Sequence, residues 1–307
     1  MRDLIKELAL SPVALGADHF GTAVEDETAA RILDAFADRG GRLIDTANVY
    51  GKWVPGAGNA SERFLGRWLK SRRKDVVIAT KGAHYDLGSP TIMRLSAAEI
   101  RTDLDESRAA LGLDCLDLYW LHRDDLARPI GEILETMEAL VKEGAIRFYG
   151  ASNFSAARLR EAKAYADAHG LTGFSAVSNQ HSVARVNAGG NTNPDPSLVI
   201  HREAEEAFHR ETGTLLIPYQ STARGYFAKL AAGAAVPEGL SRAYDNEENR
   251  RMLGALREKA ETLGCSVQTA ALIALTECPY PVIPITSVSR AEQLSDVFDA
   301  MAHLGKR

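Results

Sequence analysis

A short apolar run followed by a longer amphipathic segment recurs along almost the whole chain, and this alternation limits the fold more than any other feature. The clear runs are Arg42–Ala47, Val76–Lys81, Leu116–His122, Ile146–Ser152, Phe174–Gln180, Leu215–Tyr219 and Val282–Thr286, with Val13–Gly16 ahead of them as the first of eight. Most are rich in Val, Ile, Leu, Tyr or Phe, the pattern of strands buried on both faces. Between them Ala29–Asp38, Ala60–Arg72, Ala97–Leu111, Ile130–Glu143, Ala156–His169, Ser197–Glu211, Asn249–Leu263 and Ala291–Ala302 carry apolar residues at helical spacing. Such alternation implies parallel strands with helical crossovers. Eight strands favour closure into a (β/α)8 TIM barrel over an open sheet. The 307 residues suit one barrel, and no linker, low-complexity segment or solenoid repeat divides them, so a single domain over 1–307 is expected.

Composition narrows the function classes. A net charge of -5 without a basic block argues against a nucleic-acid partner. No apolar stretch approaches the length of a membrane span, and the opening residues Met1–Glu7 mix charges with apolar side chains, unlike a signal peptide. Cys115, Cys265 and Cys278 are scattered and odd in number, which suits reduced thiols and a cytoplasmic setting. The oligomeric state leaves no mark on the sequence.

Two connections exceed the usual short loops. His181–Pro196 contains Asn187-Ala188-Gly189-Gly190-Asn191, and Ser221–Glu247 contains Arg224-Gly225-Tyr226-Phe227 and Pro237-Glu238-Gly239. Both follow strands, so both belong at the C-terminal rim, where barrel enzymes keep their sites. Long rim loops are candidates for substrate or cofactor gates.

Three strand ends carry ionisable groups that packing alone does not call for. Asp45 lies near the end of Arg42–Ala47 with Tyr50 five residues on, Lys81 closes Val76–Thr80, and His122 closes Leu116–Leu121. Singly, these read as a turn residue, a packing tyrosine, a surface lysine and a structural histidine. Together, on one face of a barrel, Asp45, Tyr50, Lys81 and His122 converge. An adjacent ammonium favours the phenolate and so lowers a tyrosine pKa from its ordinary value of about 10. A buried lysine needs a counter-ion, which Asp45 supplies. A histidine positions a carbonyl oxygen. The set forms a proton donor over a carbonyl but holds no electron source, so the hydride must come from a cofactor. His84, His122 and His181 come from three loops without the carboxylate or cysteine spacing of a metal site, so no metal is expected.

These residues resemble the aldo-keto reductase family, bacterial-type and related to the branch of the potassium-channel β subunits. The likeness spans essentially the whole chain. Leu43-Ile44-Asp45-Thr46-Ala47-Asn48-Val49-Tyr50-Gly51 and Asn59–Gly66 look like its first signature. Ile78-Ala79-Thr80-Lys81 looks like the lysine signature, and Asp117–His122 like the histidine segment. Lys142–Arg147, leading into Gly150-Ala151-Ser152-Asn153-Phe154, resembles the segment with cofactor contacts. The resemblance implies an NADP-dependent oxidoreductase that reduces an aldehyde or ketone to the alcohol. Tyr50 would be the general acid, Lys81 would lower its pKa, Asp45 would hold Lys81, and His122 would orient the carbonyl. Ser152, Asn153 and Gln180 would hydrogen-bond the nicotinamide carboxamide, with Tyr219 stacked on the ring. Ser287, Ser289, Arg290, Gln293 and Asp296 would hold the adenine end, Arg290 facing the 2′-phosphate of NADP(H). Many relatives carry glycine where Ser287 stands and asparagine where Val297 stands, which leaves NAD(H) as the second candidate.

The substrate is a small carbonyl compound. Trp53, Arg123, Arg224, Tyr226 and Phe227 are candidate pocket residues. Their mixture of polar and aromatic groups suits a sugar-like substrate, and an ordinary aliphatic or aromatic aldehyde is equally open. The competing reading is a cofactor-binding, redox-sensing regulatory protein like the potassium-channel β subunits, with little turnover.

Overall fold

The structure, a computed structural model, describes residues 3–190, 193 and 195–304. Asn191, within the first long rim connection, lies outside the described residues. Eight parallel strands pair in the order β7-β6-β5-β4-β3-β2-β1-β8. They are β1 (Ala14–Gly16), β2 (Leu43–Asp45), β3 (Val77–Gly82), β4 (Leu116–Leu121), β5 (Ile146–Ser152), β6 (Ala176–Ser178), β7 (Leu215–Leu216) and β8 (Ile285–Thr286). The ring closes between β7 and the segment entering β8: Ile283 N–H donates to the Leu216 carbonyl at 2.9 Å and Ile285 N–H to the Pro218 carbonyl at 3.0 Å. This is the (β/α)8 architecture expected from the alternation.

The helices are α1 (Leu4–Leu8), α2 (Asp26–Asp38), α3 (Ala60–Arg72), α4 (Ala97–Leu111), α5 (Ile130–Lys142), α6 (Ala156–His169), α7 (Glu203–Thr212), α8 (Tyr226–Ala231), α9 (Glu238–Tyr244), α10 (Glu247–Leu263), α11 (Val267–Thr276) and α12 (Glu292–Leu304). Among the described residues, none is long and apolar enough to cross a membrane. Helices α7, α8, α9 and α11 depart from the sequence expectation for definite reasons. α11 (VQTAALIALT) is apolar nearly all round and lacks the polar stripe that marks an amphipathic helix. α8 and α9 occupy what reads as the long connection Ser221–Glu247, so this rim segment is helical rather than open loop. α7 starts at Glu203 instead of Ser197, because the preceding residues pair with the end of β6: Gln180 N–H donates to the Val199 carbonyl at 3.0 Å and His201 N–H to the Gln180 carbonyl at 2.8 Å.

Side chains alternate along a strand, and this period places the site. Leu43, Val77, Ala79, Leu118, Trp120, Phe148, Ala176, Leu215, Ile217, Ile283 and Ile285 form the barrel interior, closed from below by Leu4 and Leu8 of α1. Continuing each inward series in steps of two, through Gly150 on β5 and Ser178 on β6, reaches Asp45, Lys81, His122, Ser152, Gln180 and Tyr219. The interior is close-packed: Gly150 sits opposite Trp120 in the β4–β5 register, and any Cβ there would collide with the indole ring. A second layer joins the outward faces of the strands to the surrounding helices.

Candidate active site

The tyrosine loop is braced from both ends. Gly51 has φ of +107°, and a Cβ there would run into Ala60, so the residue after Tyr50 has to be glycine. Ser61, at the start of α3, bonds Thr46 Oγ1 at 2.7 Å and donates to the Ala17 carbonyl at 2.6 Å. Its backbone N–H donates to the Tyr50 carbonyl at 3.3 Å. The first signature is therefore a brace as much as a site, with Ser61 fixing where Tyr50 emerges.

Lys81 is fully buried and donates to three oxygens: a carboxylate oxygen of Asp45, the Thr46 carbonyl at 2.8 Å and the Tyr50 hydroxyl at 3.2 Å. All three ammonium protons are thus directed, which is what makes a buried charge tolerable. Burial works to lower the Lys81 pKa, but Asp45 and Tyr50 outweigh it and hold the ammonium above its ordinary value. The Asp45 carboxyl is raised by burial, against the pull of Lys81. Burial also raises the Tyr50 phenol above 10.0, although the Lys81 charge acts in the lowering direction. The phenol thus stays protonated at neutral pH.

His122 lies 5.9 Å from the Tyr50 ring, centroid to centroid. Burial first, then the neighbouring Arg123, His84 and Lys81, hold it well below 6.5, so the imidazole is neutral. Its Nδ1 is buried with no partner, which favours the tautomer with the lone pair on Nδ1 and the proton on Nε2. Two donors, the Tyr50 hydroxyl and His122 Nε2–H, therefore stand side by side without a formal charge.

Beyond β4 lie the candidate cofactor contacts. The Asn153 side chain, on a backbone with φ of +62°, donates to the His122 carbonyl and Ser152 Oγ at 3.1 Å each. It accepts from Tyr219 Oη at 2.6 Å and Val199 N at 3.2 Å. Ser152 Oγ in turn donates to the Ser178 carbonyl at 2.8 Å. Gln180 differs: it is 2% exposed, and neither its amide oxygen nor its amide nitrogen has a partner. An orphaned donor–acceptor pair is the complement of a carboxamide, so the residues present fit a nicotinamide, with Gln180 the side chain whose capacity is open. Tyr219 is half-buried at the β7 end and forms a bridge with Gln180.

At the turn expected to face the adenine end, Ser287, Ser289 and Arg290 are exposed, and Ser287 Oγ stands close against Gly16. Gln293 Oε1 accepts from the backbone N–H of Ser289 at 2.9 Å and of Arg290 at 3.0 Å, closing the turn before α12. Asp296 points elsewhere: it accepts from Ser266 N, Ser266 Oγ and Thr269 Oγ1 at the start of α11. It ties α12 to the start of α11.

The pocket candidates separate in the same way. Trp53 is 46% exposed with its ring 5.9 Å from Tyr50, flanking the mouth. Arg123 is buried, donating to the His122 carbonyl at 2.8 Å and to Asp195 at 3.0 Å, with its guanidinium 5.6 Å from the Tyr85 ring centroid. Arg224 is exposed on a backbone with φ of +55°. Tyr226 and Phe227 do not reach the mouth: both are buried in a satellite core with Leu240, Tyr244, Leu256 and Ala270. Residues of α8 point at α10 and α11, which periodicity read along one loop does not reveal.

Three contributors lie outside the expected site set. Asp195 joins the long β6–α7 connection to the β3 and β4 loops by accepting from Tyr85 Oη at 2.7 Å, Arg123 and Ser197. Those hydrogen bonds hold its carboxyl down to about 2 against the effect of burial. Asn179 Oδ1 accepts from Asn153 N–H at 2.8 Å and fixes that positive-φ residue. His84 packs its ring 4.8 Å from His122. Asp195 and Asn179 act across loops without local signal; His84 carries a weak one, three residues after Lys81. Among the described residues, no His, Cys, Asp and Glu cluster could hold a metal ion.

Residues 12–305 match the profile of the Aldo/keto reductase family. The chain belongs to the aldo-keto reductase family. It is 29% identical to the uncharacterized oxidoreductase YrpG of Bacillus subtilis over 96% of this chain and 88% of that protein. It is 30% identical to the norsolorinic acid reductase stcV of Emericella nidulans, over 94% of this chain and 73% of the relative. With the Saccharomyces cerevisiae protein designated probable aryl-alcohol dehydrogenase AAD4 it shares 27% identity over 91% of this chain and 84% of the relative. Aldo-keto reductases generally use nicotinamide cofactors, and family and relatives together make the chain an oxidoreductase.

Proposed function

We propose that this aldo-keto reductase reduces an aldehyde or ketone to the alcohol with NADP(H), Tyr50 serving as general acid. The observation that carries the reading is the Lys81 ammonium 3.2 Å from the Tyr50 hydroxyl, with a neutral His122 beside it. A nicotinamide supplies the hydride when bound. Gln180 would hold its carboxamide, Tyr219 would cover the ring, and Arg290 with Ser289 would take the 2′-phosphate. The protein's own residues do the rest. Tyr50 and His122 Nε2–H orient the carbonyl oxygen by two hydrogen bonds, which places its carbon for attack. As charge develops on that oxygen, Tyr50 transfers its proton. The phenolate so formed is stabilised by Lys81, whose own charge is balanced by Asp45.

The phenol is raised above 10.0 in the protein at rest, which keeps the proton in place until charge appears on the carbonyl oxygen. Three free cysteines suit a reducing compartment, and we place the enzyme in the cytoplasm. The test is continuous NADPH oxidation against a panel of aliphatic and aromatic aldehydes and ketones. Many turnovers per enzyme with at least one carbonyl support the reading. A single turnover with every one of them would favour the regulatory alternative.

A further inference from the structure

His84 stands next to the donor pair and is not used by the mechanism above. Its Nδ1 lies 2.8 Å from the Tyr85 carbonyl. A carbonyl oxygen cannot donate, so Nδ1 carries the proton and Nε2 carries the lone pair. Burial, reinforced by Arg123, holds the ring down at about 4, against that backbone bond, so this neutral tautomer persists through the working pH range. The ring is also immobilised, lying 4.1 Å from Tyr85 and 4.8 Å from His122. No hydrogen bond to Nε2 occurs among the described residues. A fixed acceptor thus stands one ring away from two donors, the Tyr50 hydroxyl and His122 Nε2–H.

We propose that His84 Nε2 accepts a hydrogen bond from a hydroxyl on the carbon next to the substrate carbonyl, making the enzyme selective for α-hydroxy aldehydes and ketones. The spacing supports this: two donors take the carbonyl oxygen, and an acceptor at 4.8 Å between rings meets a group one or two bonds away. Charge supports a neutral donor over an ammonium, since the cation Arg123 acts on His84 more strongly than the anion Asp195 does, with Lys52 adding to Arg123. The idea also revises the basis for a sugar-like substrate. Arg123 is consumed by Asp195, and Tyr226 and Phe227 are buried, so the polar group beside the donor pair that would recognise a hydroxyl is His84 rather than these three.

The proposal rests on the carbonyl-reduction reading, and the experiment separates the two. kcat/KM is measured for two isosteric pairs that exchange only a hydroxyl for a methyl: glycolaldehyde against propanal, and 2-hydroxyacetophenone against propiophenone. Intrinsic reactivity differs within each pair, so the informative quantity is the change in the ratio when His84 is replaced. His84→Phe keeps a flat ring and removes the acceptor; the ratio should fall about tenfold, the size of one hydrogen bond at a site that has none to replace it. His84→Asn, which offers an amide oxygen, should recover part of the ratio. It also serves if the phenylalanine variant fails to bind NADPH and has therefore not folded. A ratio unchanged in both variants, with turnover intact, overturns the His84 assignment and leaves the reductase standing. Absence of turnover with all four carbonyls in the wild-type protein overturns both.

Discussion

The tetrad at the strand ends and the turn before α12 are built on opposite principles. At the tetrad, Asp45, Lys81 and His122 are 4%, 2% and 7% exposed, and every ammonium proton of Lys81 has an acceptor. At the turn before α12, Ser287, Ser289 and Arg290 are exposed, and Gln293 Oε1 holds the backbone N–H groups of Ser289 and Arg290 and the Ser289 hydroxyl. The buried end cannot tolerate a missing partner, because an unpaired charge in low dielectric costs several kcal/mol. The exposed end can lose a side chain to water with little structural consequence. On the proposed reading, chemistry is placed where geometry is over-determined, and cofactor choice where a single side chain can be exchanged.

The largest effect expected from this contrast follows removal of the central charge. Lys81→Met should lower kcat/KM for carbonyl reduction by about 10³-fold or more, within the span of acid–base and electrostatic contributions. It should also lower stability in chemical denaturation, by about 3–5 kcal/mol for a buried partner left alone, unless Asp45 takes up a proton. The double variant Lys81→Met with Asp45→Asn should regain much of that stability without activity. A Lys81→Met protein as stable and active as wild type would break the comparison at its buried end.

Arg290→Ala comes next and should affect affinity alone. NADPH should bind roughly 10- to 100-fold more weakly, the scale of a lost charge-assisted contact, while NADH is nearly unchanged and the melting temperature stays put. Equal weakening of both cofactors in a fluorescence titration would remove Arg290 from the phosphate site. Gln180→Leu should weaken NADPH and NADH alike, about tenfold, since its open amide meets the part the two share. A selective effect on one of them would misplace Gln180.

The smallest effect is a null one. Because His122 is held well below 6.5 and Tyr50 above 10.0, reduction should show no limb near pH 6.5. The sign is fixed by the roles: reduction needs the protonated phenol and the neutral imidazole, so kcat/KM holds through neutral pH and falls only as Tyr50 deprotonates at alkaline pH. Alcohol oxidation should rise over the same alkaline range. A limb centred near 6.5 that vanishes in His122→Asn would mean that His122 works charged.

Much of the site is legible as parity. Counting by two along each inward series from Leu43, Val77, Leu118, Phe148, Ala176 and Leu215 lands on Asp45, Lys81, His122, Ser152, Gln180 and Tyr219, because a strand cannot change which face its side chains use without a bulge. Strand extents are less legible past β5. Beyond β6 and β7 the pairing continues only as an isolated bridge between Gln180 and Tyr219, so the apolar run outlasts the ladder. Contacts between elements leave no local trace. Asp296 lies on α12 with the spacing of a cofactor ligand, yet serves Ser266 and Thr269 at the start of α11, a helix whose all-round apolar sequence hides it. Asp195 likewise gains its role only when the β6–α7 connection folds back on Arg123 and Tyr85.

The most direct test of the account compares Tyr50→Phe with wild type in two measurements on one preparation: NADPH affinity by quenching of tryptophan fluorescence, and kcat/KM with the best carbonyl of the panel. Tyr50 acts on the substrate oxygen, so the account predicts a loss of about 10³-fold or more in kcat/KM with NADPH affinity within about twofold. Retention of most of the turnover, or a loss explained by weaker NADPH binding, would contradict it.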